Sequence, residues 1–130
     1  SVATAQNISE HQWNHRVLLV MTPDDSHPDF QKQLDELRAH QKGLEERKLK
    51  VYEVTPKGYK LLNAPSYSQN DGTGLYATYN LKDAIPEVLL IGLDGQRKHQ
   101  KYSFTPALEL FLIIDAMPMR QTELKRKKQQ

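Results

Sequence analysis

The sequence predicts a single α/β domain in which a central mixed sheet of four strands is flanked by helices and closed by a β-hairpin and a helix. The apolar run Val17–Met21 is typical of a central strand that is covered on both faces. Apolar residues then recur at helical spacing from Phe30 to Leu44. Strand and helix patterns continue to alternate as far as Pro118, which is the order expected when a sheet is partly parallel.

The composition limits the chemistry of the protein. The 130 residues include no cysteine, which excludes thiol nucleophiles, disulfides, thiolate metal sites and dithiol exchange. Hydrophobic content of 38% and charged content of 26% are ordinary for a globular domain with one core. No apolar run approaches the ~20 residues that a transmembrane helix needs, so we expect no membrane span.

The positive charge is concentrated at the C-terminal end. The formal net charge is +2, yet residues 120–130 hold five basic side chains against the single acid Glu123. We therefore predict a solvated basic tail (residues 120–130), a nearly neutral domain (residues 12–119) and a flexible polar N-terminal segment (residues 1–11). Nucleic acid is not an expected partner, although a structural domain that adheres through its basic tail is one alternative.

The junction after the first strand contains the signals of a helix start. Pro23 ends the strand, and Ser26 is the predicted N-cap, with Pro28 in the first turn and Asp29 completing a capping box. We expect one helix that ends between residues 43 and 46, because Gly43 weakens it. Its buried face is predicted to carry Phe30, Leu34, Leu37, Gln41 and Leu44.

The second half of the chain alternates between strand and helix patterns. Residues 49–54 read as the second strand, and the ~20-residue connection from Thr55 to Gly74 has no clear periodicity and is predicted to be functional or mobile. A short helix (residues 75–79) and a strand (residues 88–93) follow.

A hairpin and a helix complete the predicted domain. The Asp94–Gly95 pair is a strong hairpin turn signal, so residues 96–102 are expected to return antiparallel. Thr105 is the predicted N-cap of the closing helix, with Pro106 at its first position, and Pro118 is expected to end it before a frayed tail.

Two stretches resemble a known family. The stretch YNLKDAIPEVLLIGLDGQ resembles the thioredoxin and peroxiredoxin pattern, which implies a thioredoxin-like fold and a cis Pro86 that faces the active-site loop. The stretch VLLVMTPDDSHPDFQKQ resembles the first strand and active-site loop of peroxiredoxins. The reactive cysteine would fall near Phe30, or near Asp25 if the thioredoxin loop is used, and neither residue is a thiol. The redox chemistry of that family is therefore absent.

A more specific resemblance covers residues 12–120. The Trp13–x–x–Arg16 entry, the loop with Pro23, Asp24 and Asp25, and the ending IDAMPMR are similar to a thioredoxin-like domain of unknown function. That domain occurs in bacterial exported proteins and in animal extracellular proteins of the sushi-repeat and coiled-coil-domain-containing group. The resemblance implies a periplasmic or secreted protein, and it implies no established activity.

The candidate site combines the loop with the predicted cis-proline: Asp24, Asp25, Ser26, His27 and Pro86. We expect a binding or interaction module for a protein or peptide ligand, because the fold accepts extended peptides at this face. The alternative is a thiol-independent enzyme that uses the acidic loop 24–27. A purely structural interpretation, in which the polar residues cap the helix and His27 is exposed, also fits the pattern.

No catalytic residue, cofactor or metal ligand is predicted. His11 and His15 have the i,i+4 spacing of helical zinc ligands, but no third ligand lies near them in sequence. The sequence leaves the oligomeric state open.

Overall fold

Strand β1, Arg16–Met21, lies in the middle of the sheet and is buried over its whole length. The structure is a computed structural model that describes residues 8–69 and 74–129. Strand β1 pairs in parallel with β2 (Leu49–Thr55) and antiparallel with β5 (Glu87–Ile91). The apolar run therefore forms the covered central strand that the sequence predicts.

The mixed α/β class is confirmed, but within the described residues the sheet has six strands rather than four. Its order is β4-β3-β2-β1-β5-β6, with β3 at Gly58–Leu61, β4 at Ser68–Gln69 and β6 at Arg97–Lys101. The two additional strands come from the connection after β2, which turns back on itself to pair Thr55 with Gly58. These strands have four and two residues, too few to show the alternation that marks a half-buried strand, and so the sequence did not reveal them. Residues 70–73 of this connection lie outside the described residues.

The predicted first helix is divided in two. Helix α1 spans Pro28–Arg38 and α2 spans Gln41–Glu46, with a break at residues 39–40. Gln41 is consequently exposed rather than on the buried face. The break accompanies a close approach, because a Cβ atom at Gly43 would lie only 2.7 Å from the Phe111 ring.

The C-terminal half follows the predicted order with two corrections. After α3 (Leu75–Tyr79) and β5, the chain turns at Gly95, whose φ of +79° favours glycine, and returns as β6. Helix α4 spans Ala107–Asp115 with Pro106, not Thr105, at its N-cap. Thr105 is buried, and its backbone exchanges two hydrogen bonds with the side chain of Gln33 at 2.7 and 2.9 Å.

The predicted frayed tail contains a helix. Pro118 is the first residue of α5, Pro118–Lys128, and does not end the structure. Proline suits this position because its missing N–H would have no helical partner there. Arg120 is only 4% exposed, so the first turn of α5 packs on the domain.

Two apolar clusters cover the opposite faces of the sheet. Leu18 and Val20 contact the cluster beneath α1, α2 and α4, whereas Leu19 and Met21 face the cluster that includes α3 and Ile8. This alternation follows from the two-residue period of a strand. No helix in the described part of the chain is long and apolar enough to span a membrane.

Candidate functional site

The fold brings the two parts of the predicted site to the same end of the sheet. Met21 of β1 pairs with Glu87 of β5, so the loop that follows Met21 and the Pro86 that precedes Glu87 both lie just beyond the last residue pair. The Ile85–Pro86 peptide bond is cis. We call the surface formed by residues 24–27 and the half-buried Ile85, together with the buried Pro86, the loop face.

Hydrogen bonds between near neighbours hold the loop. The Asp24 Oδ1 atom accepts from the Ser26 backbone N–H at 3.0 Å and from the Ser26 hydroxyl at 2.7 Å. The Thr22 hydroxyl accepts from the Asp24 N–H at 3.0 Å. The hydrogen bonds from Ser26 lower the pKa of Asp24 below its ordinary value, so this carboxylate is a weak proton acceptor.

The helix begins one residue later than predicted. His27, not Ser26, is the N-cap of α1, and its Nδ1 atom accepts the Asp29 N–H at 3.1 Å. Ser26 is displaced from this role because its hydroxyl donates to Asp24. Since Ser26 and His27 bond to different partners, they do not form the hydrogen-bonded pair that a serine nucleophile and its base require.

A buried carboxylate that the sequence did not single out shapes the other half of the loop face. Glu87 has no exposed surface and accepts from the backbone N–H groups of Leu81 and Lys82, at 2.6 and 3.1 Å, and from the Gln100 amide at 2.8 Å. It therefore anchors the segment that leads to Pro86. The only signal for it in the sequence was an acid next to an apolar strand.

The opposite end of β1 contains a cluster of buried charges that sequence reasoning also missed. Arg16 is only 1% exposed, and its Nη1 atom donates to the Arg47 carbonyl at 2.9 Å and to Glu123 Oε1 at 3.0 Å. Arg47 and Arg120 both bond to Asp115. Burial would raise the pKa of Asp115, but these two guanidinium groups outweigh it and hold the pKa below its ordinary value.

Two surface pockets of about 440 Å³ each lie away from the loop face. One is lined by residues of α2, β2 and β3, including His15 and Leu44. The other lies between the β5–β6 turn and the α4–α5 corner, and Arg16 contributes to its lining. Neither of these two pockets is lined by a residue of the loop face.

His11 and His15, which have the spacing of two zinc ligands, bond to each other, and His11 also bonds to a tyrosine. The Nδ1 atoms of His11 and His15 are 3.3 Å apart, and His11 Nε2 lies 2.8 Å from the Tyr52 hydroxyl. Burial lowers the pKa of both histidines, and neighbouring positive charge lowers it further. Within residues 8–69 and 74–129, no three His, Cys, Asp or Glu side chains are grouped closely enough to hold a metal ion.

Sequence comparison places the chain in a family. The family model described as "Domain of unknown function (DUF4174)" matches residues 7–123, which is most of the chain. The chain belongs to this family. No curated protein matches the DUF4174 domain described here.

A solved structure shares the fold of this DUF4174 domain. The domain is similar to the reduced 2-Cys peroxiredoxin of Plasmodium vivax, with a TM-score of 0.63 over 88% of this chain and 83% of that chain. The two sequences are only 16% identical, so the similarity concerns the fold alone. The thioredoxin-like architecture is thus confirmed, and it occurs here in a chain without cysteine.

Proposed function

We propose that this DUF4174 domain is a thiol-independent binding module that takes an extended, basic segment of a partner protein at the loop face. The observation that carries the proposal is the main chain before the cis-proline. Among the described residues, the backbone N–H and C=O groups of Ile85 make no hydrogen bond, and they lie at the end of a sheet. Free main-chain groups at such a position are suited to pairing with an extended peptide.

The charge of the loop face supports a basic partner. Asp24, Asp25 and Asp29 are all exposed, and the carboxylate of Asp25 makes no hydrogen bond or ion pair with any described residue. His27 is the only basic group within the loop itself. A lysine or arginine side chain of the partner would therefore meet an excess of negative charge, which favours association and orientation.

The stiffness of the loop supports binding rather than catalysis. The bonds that Asp24 and His27 form with their neighbours hold the loop without help from a ligand. A preorganised surface loses less conformational entropy when a partner binds. The same set of bonds occupies the Ser26 hydroxyl and the His27 Nδ1 atom, which a serine nucleophile and its base would need.

We place this activity outside the cytoplasm, in the periplasm or in the secreted fraction. The support is the resemblance of the loop and of residues 114–120 to exported proteins that contain such a domain. Fractionation of cells that produce the natural full-length protein tests this placement. Recovery in the cytoplasmic fraction alone would contradict it.

The peptide proposal is tested by NMR titration of the ¹⁵N-labelled domain with an extended peptide of alternating valine and lysine. Backbone amide shifts are expected to concentrate at residues 24–27 and at residues 84 and 85, since Pro86 has no amide proton to observe. A peptide with glutamate in place of lysine should bind at least tenfold more weakly, because it would face the same acidic loop. Equal binding of both peptides, or shifts centred elsewhere, would refute the proposal.

A matched pair of variants locates the contact. Asp25→Asn removes a charge from the loop face without removing a bond that holds the loop, and it should weaken binding of the basic peptide severalfold. Glu45→Gln removes an exposed charge from α2 and should leave binding unchanged. If both substitutions weaken binding equally, the peptide responds to the overall charge and not to the loop face.

A further inference from the structure

The pocket at the amino end of β1 has a buried cation, Arg16, among its lining residues. Its volume is about 440 Å³, within the range of small-molecule sites. It lies between the β5–β6 turn and the corner that joins α4 to α5, far from the loop face along β1. The residues that matter for its chemistry are Arg16, Leu93, Lys98, Ile113, Met117 and Met119.

The Arg16 guanidinium has one edge that is bonded and one that is not. Its Nη1 atom donates to the Arg47 carbonyl and to Glu123, whereas its Nε and Nη2 atoms are buried and have no hydrogen-bond partner in residues 8–69 and 74–129. Buried polar groups are normally paired, and an unpaired donor on a charged group is costly. This arginine is therefore equipped to donate two further hydrogen bonds.

The two free donors have a geometry that matches a carboxylate. The Nε and Nη2 atoms lie along one edge of a guanidinium and donate in parallel. Arg47 shows the arrangement in the same molecule: its Nε and Nη2 atoms bond to the two oxygens of Asp115 at 3.0 and 2.9 Å. The corresponding edge of Arg16 is suited to the same group on a ligand.

The charges around Arg16 leave room for one more anion. Glu123, the carboxylate that bonds to Arg16, is shared with Arg120, whose Nη1 atom lies 3.7 Å from it. In the connected cluster, four cations face three carboxylates: Arg16, Arg47, Arg120 and Lys127 against Glu46, Asp115 and Glu123. A monoanion bound at Arg16 would balance this cluster.

The remaining wall of the pocket is apolar. Ile113, Met117 and Met119 come from the α4–α5 corner, and Leu93 comes from the β5–β6 turn. Methionine side chains adapt to irregular shapes, and Met119 is 43% exposed at the surface. At the rim, Lys98 is paired with Asp94 at 2.7 Å, so Arg16 provides the unsatisfied charge.

From these observations we infer that the pocket binds a monocarboxylate with a medium-length hydrocarbon body. The carboxylate bonds to the Nε and Nη2 atoms of Arg16, and the hydrocarbon lies against the two methionines and Ile113. This site is separate from the loop face, and it does not depend on peptide binding there.

Methyl NMR of the methionines tests this assignment with octanoate as the probe. The chain has three methionines, of which Met117 and Met119 line the pocket and Met21 is buried in β1 as an internal reference. Octanoate should shift the methyl signals of Met117 and Met119 saturably without moving that of Met21. The matched probes 1-octanol, which lacks the carboxylate, and acetate, which lacks the hydrocarbon, should bind at least tenfold more weakly.

Substitutions distinguish recognition of the carboxylate from simple apolar binding. Arg16→Lys retains the charge but loses the paired edge, and it should weaken octanoate binding at least tenfold. Because a change at this buried position can unfold the domain, Met119→Glu provides a second test at the exposed edge of the pocket. A glutamate in the first turn of α5 is favourable for the helix, yet its charge would repel the carboxylate of octanoate and weaken binding at least tenfold.

The control is Leu112→Glu, which adds the same charge at an exposed site on α4 outside the pocket lining and should leave octanoate affinity unchanged. Equal shifts with octanol and octanoate would overturn the inference, since the pocket would then be an apolar crevice without carboxylate recognition. Absence of any shift at millimolar octanoate, or unaltered affinity in Met119→Glu, would overturn it as well.

Discussion

The two ends of β1 satisfy their polar groups in opposite ways. At the carboxyl end, Asp24 bonds to Ser26, which is two residues away, and both side chains are exposed. At the amino end, Arg16 is buried and bonds to Arg47 and Glu123, which are 31 and 107 residues away. One end is organised by its own sequence, and the other by segments that meet only when the chain has folded.

This difference indicates what each end contributes. Residues 24–27 are held mainly by hydrogen bonds to near neighbours, and the side chains of Asp24, Asp25 and Ser26 are exposed. The cluster around Arg16 connects β1, the end of α2 and the helix α5, so it stabilises the tertiary arrangement. We expect substitutions at the two ends to differ most in their effect on the free energy of unfolding.

The largest effect is expected for Glu123→Gln. The substitution removes the carboxylate that neutralises buried Arg16, and breaking a buried ion pair on one side should lower the free energy of unfolding by about 3 kcal/mol. Urea denaturation measures this change. The matched control Glu45→Gln, at an exposed site, should change stability by less than about 0.5 kcal/mol. If both substitutions change the free energy of unfolding by a similar, small amount, the proposed difference between the two ends of β1 is wrong.

A smaller effect is expected at the carboxyl end. Asp24→Ala removes the acceptor of two hydrogen bonds from Ser26 and should lower the denaturation midpoint by less than half of the shift caused by Glu123→Gln. Asp25→Ala removes no side-chain bond to a described residue and should leave the midpoint unchanged. Equal losses for Asp24→Ala and Asp25→Ala would show that local hydrogen bonding does not hold the loop.

The smallest effect is expected from the histidines that precede β1. The pKa values of His11 and His15 are lowered in the folded protein, mainly by burial, from an ordinary value of 6.5. As the pH falls below 6.5, the unfolded chain binds more protons than the folded one, so stability should decline until the folded pKa values are passed. Protonation would also oppose the short contact between the two Nδ1 atoms.

His11→Gln should reduce this acid-dependent decline, because glutamine keeps a polar side chain near Tyr52 without titrating. Urea denaturation at pH 7.5 and pH 5.5 measures it in both proteins. An identical decline in the variant would assign the pH dependence to other groups. The His11→Gln variant retains Lys48 and Lys50, whose charges also lower these pKa values.

Sequence reasoning succeeded for features that depend on local contacts and failed for features that depend on distant ones. The central strand, the Asp94–Gly95 turn and the α/β class were predicted because each depends on adjacent residues or on a short period. The strands β3 and β4 were missed because they are stabilised by pairing across the sheet rather than by their own pattern. Pro118 was predicted to end the closing helix, whereas it begins α5, because proline is compatible with both positions.

The candidate site was predicted in part. The sequence selected residues 24–27 and Pro86, and the structure brings them to one end of the sheet. Sequence reasoning placed the helix cap one residue too early, because the Ser26 hydroxyl bonds to Asp24 and the His27 ring accepts the Asp29 N–H instead. Binding at these residues and export of the protein remain predictions that the proposed titration and fractionation test.

The sequence by itself determined that this DUF4174 domain has no thiol chemistry, because no fold can supply a sulfur that the chain does not contain. It also determined the loop after β1, where hydrogen bonds join residues two positions apart. Only the tertiary structure decided the environment of Arg16, because its partners are distant in sequence and its burial depends on α4 and α5 being in place. Packing that excludes water from a charge strengthens the interactions of that charge, and this exclusion is a property of the folded chain.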